Sequence, residues 1–206
     1  MVPAKLTIEG QYVSLVPLDP EAHGDSLWDE VKGHDDLWLY LFDGPFDDRE
    51  AFQASLAKKA STADPLFFAI VDRASGKTMG LASLMRIEPA HRCIEVGSIV
   101  YSPALQRTRG ATEAMYLLAR HVFEDLGYRR YEWKCNALNE PSRRAALRLG
   151  FQFEGIFRQH MLVKGRSRDT AWFSMLDGEW PARKERFERW LQPSNFDSEG
   201  RQLSRM

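Results

Sequence analysis

Cysteine is scarce in this chain. Cys93 and Cys135 are the only two among 206 residues, and neither stands in a CxxC pair or at ligand spacing to a histidine. That pattern excludes a disulfide framework and a structural zinc site, so no metal is expected and both thiols read as reduced residues of strands. Long apolar runs are missing too. Nothing approaches the roughly 20 residues of a membrane helix, and residues 1–10 lack the basic-then-apolar order of a secretory leader. A cytoplasmic protein without a membrane partner is expected. Charge of one sign is also absent: 28 Lys and Arg stand against 29 Asp and Glu, a net charge of -1. Binding to nucleic acid driven by overall charge is therefore not expected. There is no GxxxxGK[ST], no GxGxxG, no internal repeat and no low-complexity stretch.

What is present is the composition of an ordinary globular protein, with 44% hydrophobic and 28% charged residues. The length suits one domain, which we place at residues 1–192, with a polar tail over 193–206. Residues 11–18 alternate polar and apolar side chains as a strand does, and Asp19-Pro20 then opens a helix over 21–31. A second helix is expected at 51–60 behind Asp47-Asp48. Strands follow at 66–72, 78–87 and 92–101, the first two joined by a turn at Ser75-Gly76. Met115, Leu118, Ala119, Val122 and Leu126 then line one face of a long helix over 111–126. A strand at 131–137, a helix at 139–149 closed by Gly150, strands at 151–163 and 170–176, and a charged helix over 179–191 complete the order. This is an α/β chain, a meander of antiparallel strands interrupted by helical crossovers.

The most informative segment links the strand at 92–101 to the long helix: Leu105-Gln106-Arg107-Thr108-Arg109-Gly110-Ala111-Thr112. A strand that feeds a tight basic loop and then a helix N-terminus gathers unpaired N–H groups and the positive end of the helix dipole in one place. That is the outline of a phosphate site. Arg107 and Arg109 add charge, and small residues at Gly110, Ala111 and Thr112 allow close approach to the backbone. About thirty residues on come Asn139-Glu140-Pro141-Ser142-Arg143-Arg144 and a helix that ends Leu149-Gly150-Phe151.

A strand, a Gln/Arg loop that opens a helix, another strand, and NxxS running into a helix that ends LGF resemble the GNAT acetyltransferase superfamily. Within it, the RimJ/RimL-like branch is the nearest likeness. The resemblance covers nearly the whole chain, from the strand at 11–18 to the strand at 170–176. It implies an α+β mixed sheet of about seven strands, mostly antiparallel, splayed between strands 4 and 5 and covered by helices on both faces. It also implies acetyl-CoA as co-substrate in the gap. Backbone groups near Ile99 and Val100 would hold its acetyl and pantetheine end, Gln106, Arg107, Thr108, Arg109, Gly110, Ala111 and Thr112 would cradle the pyrophosphate, and Asn139 and Arg143 would reach the pantetheine and the phosphates.

Two departures from the family pattern stand out. The loop usually reads [Q/R]xxGx[G/A], yet Arg109 occupies the first glycine position. The tyrosine that often serves as general acid is replaced by Ala146, and Ser142 is the substitute hydroxyl near the departing sulfur. For the base we single out Glu95, an acidic residue in Ile94-Glu95-Val96-Gly97-Ser98, whose alternation puts it on one face with Gly97 and Ile99. The alternative for Glu95 is a sheet carboxylate paired to Arg86 or Arg92. Glu154 and His160 come second as base or substrate contact. Trp28, Trp38, Tyr40, Phe42 and Phe46 form an aromatic excess that belongs either to the core or to a substrate wall. The expected reaction is direct acetyl transfer to an amine, with a protein N-terminus as the first acceptor considered. Small amines, antibiotics, amino-acid conjugates and a non-catalytic acyl-CoA sensor are the alternatives, and a homodimer is possible.

Overall fold

The computed structural model describes residues 1–206. The chain starts with a two-residue strand β1 (Ile8–Glu9) and β2 (Val13–Pro17), then α1 (Pro20–Val31) and α2 (Arg49–Ala60). Asp19 and Asp48 cap these helices, each side chain accepting a backbone N–H of the first turn. β3 (Leu66–Asp72), β4 (Thr78–Glu88) and β5 (Cys93–Tyr101) form the expected meander. α3 (Arg109–Arg120) crosses over to β6 (Arg130–Asn136), α4 (Glu140–Leu149) leads into the hairpin β7 (Gln152–Val163) and β8 (Arg166–Leu176), and α5 (Trp180–Leu191) packs last. The apolar periodicity that suggested one helix to residue 126 is real, but its last turn widens to a π-turn at His121–Asp125.

All eight strands share one sheet in the order β1-β2-β3-β4-β5-β6-β8-β7. Only β5 and β6 are parallel, and their pairing is short: it runs from Cys93↔Arg130 to Val96↔Trp133 and stops. Beyond that point β5 stays with β4 and β6 stays with β8, so the sheet opens into a V at the carboxyl ends of the two parallel strands. The expected seven strands gain an eighth in the short edge strand β1. Within β5 a bulge interrupts the register, because Ser83 faces Gly97 whereas Leu81 faces Val100. Ser98 sits at φ 50 inside the bulge.

Helices cover the two faces unequally. The larger core lies under α3, α4 and α5 and takes Phe68, Leu84, Val96, Leu118, Trp133, Phe173 and Phe187. The smaller joins α1 and α2 to Phe67, Ala69, Leu81 and Val100. Since α1 and α2 lie over β3 and β4, the same face of β6 and β8 carries polar and aromatic side chains instead, among them Glu132, Lys134, Arg168, Thr170 and Trp172. The segment 193–206, read from sequence as a polar tail, folds back on α5: Trp190 donates its indole N–H to Gln202, and Asn195 is buried. No helix is long and apolar enough to cross a membrane.

One buried carboxylate fastens the phosphate-site helix to the sheet. Glu113 of α3 accepts the backbone N–H groups of Gln11, Tyr12 and Val13 at 2.8, 2.6 and 2.8 Å. We expect Glu113→Ala to leave these donors unpaired and cost about 3 kcal/mol, a fall in Tm of roughly 6–12 °C by calorimetry. On the other side of the V, Arg130 grips Glu154 with both terminal nitrogens, at 2.8 and 2.6 Å. The Arg130 hydrogen bonds hold the Glu154 carboxyl at about 2, below its ordinary 4.5. A depressed acid stabilises the fold above its unfolded value and loses that contribution as pH falls through its folded one. Acid unfolding curves of Glu154→Gln should therefore lose part of their slope between about pH 4.5 and pH 2 relative to the parent.

Candidate active site

The loop between β5 and α3 has the form of a phosphate cradle. Thr108 caps α3 by accepting the Ala111 N–H at 3.1 Å, and Gln106 and Thr108 spend their own N–H groups on Ser102 and Leu105. The backbone N–H groups of Arg107, Arg109 and Gly110 find no acceptor in the protein. Three free donors at the positive end of a helix suit a pyrophosphate. The left-handed residue of the loop is Arg107, at φ 62, so Arg109 in the usual glycine position is an ordinary first helical residue without backbone strain. Its guanidinium lies between the Tyr12 and Phe196 rings, 4.7 and 4.9 Å from their centres. Gly110 answers to packing, because a Cβ there would come within 2.8 Å of Val13. Ala111 and Thr112 lie buried in the first turn.

The V supplies the rest. Past Val96, the edge of β5 over Gly97, Ser98, Ile99 and Val100 is no longer paired by β6, so those backbone groups of the stretch that point away from β4 face the gap. It also changes the facing predicted by simple alternation. Val100 shares the face of Glu95 and Gly97, opposite Leu81, and Ile99 packs toward the larger core.

Across the gap, Asn139 caps α4 by accepting the Ser142 N–H at 3.1 Å. Ser142 Oγ accepts the Trp133 indole N–H at 3.0 Å, which leaves its own hydroxyl hydrogen to donate. The thiol of Cys135 lies beside that hydroxyl. Burial pushes the thiol up, and the Ser142 hydrogen bond acts in the opposite direction. Arg143 turns toward Ala137, Glu140 and Phe153 rather than to the loop. Arg148, which the sequence did not single out, reaches α3 instead and donates to Thr112 Oγ1 at 3.1 Å. Nothing in the local pattern of α4 marks it out.

Glu95 is buried and sits in the paired part of β5. Its Oε2 meets Arg86 at 2.8 Å and Lys134 at 2.9 Å, so the sheet ion pair with Arg86 is present. Lys134 continues to Glu132 at 2.7 Å, and Glu132 to Arg130 at 2.6 Å. Glu95 Oε1 accepts from no protein group. Glu154 belongs to the far end of this chain of charges, held by Arg130 and by the Ser174 hydroxyl. His160 shares a hydrogen bond with Thr170 at 3.0 Å and stands edge-on to Phe157.

The aromatic excess divides between core and wall. Trp28, Trp38 and Phe46 surround Phe52 under α2. Tyr40 and Phe42 follow on a segment that crosses the mouth of the V. There the Tyr40 hydroxyl donates to the Leu138 carbonyl at 3.2 Å, Lys164 donates to the Trp38 carbonyl at 2.7 Å, and the Arg168 guanidinium stands 5.1 Å from the Phe42 ring. The result is a cleft with a phosphate cradle at one end, a gap between strands in the middle, and a roofed face of charged and aromatic side chains at the other.

Comparisons with known proteins agree with this architecture. A family profile described as an acetyltransferase (GNAT) domain matches residues 13–152. The crystal structure of a GCN5-related N-acetyltransferase from Brucella melitensis shares 51% identity, covering 100% of this chain and 94% of that one, with a TM-score of 0.97. A GNAT-family protein from Chromobacterium violaceum shares 45% identity over 87% of this chain and 90% of its own, with a TM-score of 0.82. The Bacillus subtilis protein YdaF, provisionally named a ribosomal N-acetyltransferase, is 29% identical over 109 residues, which span 53% of this chain and 59% of that protein. The likeness to YdaF lies on the side of the RimJ/RimL-like branch. With the profile spanning β2 to β6, the cradle and α4, and the Brucella structure covering the whole chain, the chain belongs to the GNAT acetyltransferase family.

Proposed function

We propose that this protein is an N-acetyltransferase that moves the acetyl group of acetyl-CoA to a primary amine, by direct transfer in a ternary complex. The observation that carries the reading is the alignment of the three free N–H donors of Arg107, Arg109 and Gly110 with the unpaired, bulged end of β5. The cradle suits a pyrophosphate, and the strand edge suits the amide-bearing arm that leads from it. Backbone N–H groups near Ile99 and Val100 polarise the thioester carbonyl and receive the negative charge that develops on its oxygen. The Ser142 hydroxyl, oriented by Trp133, donates a hydrogen bond to the departing thiolate. Asn139 has its amide nitrogen available for the pantetheine arm while its oxygen caps α4.

On the acceptor side, Glu95 Oε1 is the oxygen that takes the ammonium proton, directly or through water, because only the neutral amine has a lone pair to attack with. Arg86 and Lys134 hold the carboxylate in place through Oε2. The acceptor we favour is the N-terminus of a protein or peptide, entering under Tyr40 and Phe42. The provisional name of YdaF points to acceptors of the ribosomal-protein type, and the half-buried Tyr40 and exposed Phe42 at the mouth suit an extended chain. We place the reaction in the cytoplasm.

Titration calorimetry with acetyl-CoA, followed by an assay of released thiol over peptides and small amines, tests this reading. Binding together with thiol release is expected; binding without release to any amine would leave the protein an acyl-CoA sensor. Ser142→Ala should lower kcat about 10- to 100-fold while the Kd for acetyl-CoA changes less than about threefold. Cys135→Ala should keep kcat within about twofold, since no acyl-enzyme forms on a buried thiol. Loss of most activity in a folded Cys135→Ala protein would contradict direct transfer.

A further inference from the structure

The charges on the roofed face do not balance. Glu95, Glu132 and Glu154 are three carboxylates, and Arg86, Lys134 and Arg130 are the three cations that contact them. A fourth cation, Arg168, is buried to 7% exposure beside them and touches none of the three carboxylates. No protein atom accepts a hydrogen bond from its guanidinium, and its Nε is fully enclosed without a partner. Burial lowers the Arg168 pKa, and Glu95 acts on it only from a distance. Four positions along the same face of β8, the indole nitrogen of Trp172 is also buried with no acceptor. The Trp172 ring is packed under Lys134 Nζ at 3.9 Å and against Phe157 at 4.5 Å, so it is held rigidly.

A buried guanidinium is costly unless something accepts its hydrogen bonds, and native interiors seldom leave such donors unmet. Here two residues on one face of β8, with Thr170 between them, have buried donors unmet on the acceptor side of the V, and Arg168 lies against the Phe42 ring. Arg presents a planar fork that matches a carboxylate with two parallel hydrogen bonds. We propose that Arg168 and Trp172 form a subsite for a carboxylate carried by the amine acceptor, so that the enzyme selects amines bearing an acid group. Arg168 supplies the fork, and the Trp172 N–H completes the ring of donors. Glu95 and the carboxylate subsite then grip opposite charges of one acceptor, its ammonium and its acid. The inference rests on the acetyl-transfer reading for the ammonium, but the subsite itself is a matter of binding.

The carboxylate has two possible sources, the α-carboxylate of a free amino acid or an acidic side chain near a peptide N-terminus. Four probes separate them: phenylalanine with phenylalaninamide, and the amidated tetrapeptides Ser-Asp-Ala-Phe and Ser-Asn-Ala-Phe. Each would be titrated into the CoA-saturated protein by calorimetry and assayed for acetylation with acetyl-CoA. In at least one pair the acid should be preferred over its amide by about 100-fold in Kd and in kcat/KM, and Arg168→Met should reduce that preference to within about threefold. The Met variant should keep its affinity for acetyl-CoA and a Tm at or above that of the parent, because an unpaired buried cation has been replaced by an apolar chain.

Equal binding of acid and amide in both pairs, or no binding of either acid, would overturn the subsite whatever the acetylation assay reads. A Tm lowered by more than about 5 °C in both Arg168→Met and Arg168→Gln would likewise overturn it, by showing a structural role instead. Acid-selective binding without thiol release would support the subsite and refute acetyl transfer alone.

Discussion

The pairing of β5 with β6 stops after four residues, and the working geometry of the molecule follows from that interruption. Parallel strands normally continue side by side as long as both remain extended. Here the bulge at Ser98 and Ile99 turns β5 away, and β6 keeps its allegiance to β8 through Asn136. The two diverging edges expose backbone groups that a continuous sheet would have consumed. An exposed edge of this kind is a liability unless something covers it, and this one offers pairing to a ligand with its own amide groups. The α3 N-terminus lies at the end of the same strand, so the strand edge and the phosphate cradle form one continuous track.

Holding such an opening requires ties on either side of it. Glu113 draws three N–H groups of the Gln11–Val13 segment onto α3, and Arg148 ties α3 to α4 through Thr112. Below the apex, the ladder from Arg86 through Glu95, Lys134, Glu132 and Arg130 to Glu154 crosses from β4 to β7. Charges of alternating sign on neighbouring strands satisfy one another in a setting where a single unpaired member would be expensive. Arg168 is the exception, and its isolation is informative because the rest of the network is so fully paired.

Parts of the frame around the candidate site follow from short stretches of sequence alone. Thr108 and Asn139 cap helices where small polar residues precede apolar periodicity, and Gly150 closes α4 in the left-handed conformation at φ 100. These features depend on a few consecutive residues. The face assigned to Ile99 was wrong by one residue because alternation presumes an unbroken pleat, and a bulge resets it. Arg143 looked like the phosphate-directed arginine of α4 and Arg148 did not, although both lie on one short helix. Which of them faces α3 is set by how α4 docks, not by its local pattern.

By itself, then, the sequence determined the order of elements, the helix starts, the loop that presents free N–H groups to a phosphate, and the family to which these belong. Short-range backbone preferences and hydrogen bonds decide all of these. Only the tertiary structure decided that Glu95 meets Lys134 as well as Arg86, that Tyr40 and Phe42 roof the cleft while Trp38 supports them from the core, and that Arg168 is buried without a partner. The physical reason is that charge pairing and burial depend on strand register and on segments far apart in the chain, such as Phe42 and Arg168, which no local pattern brings together.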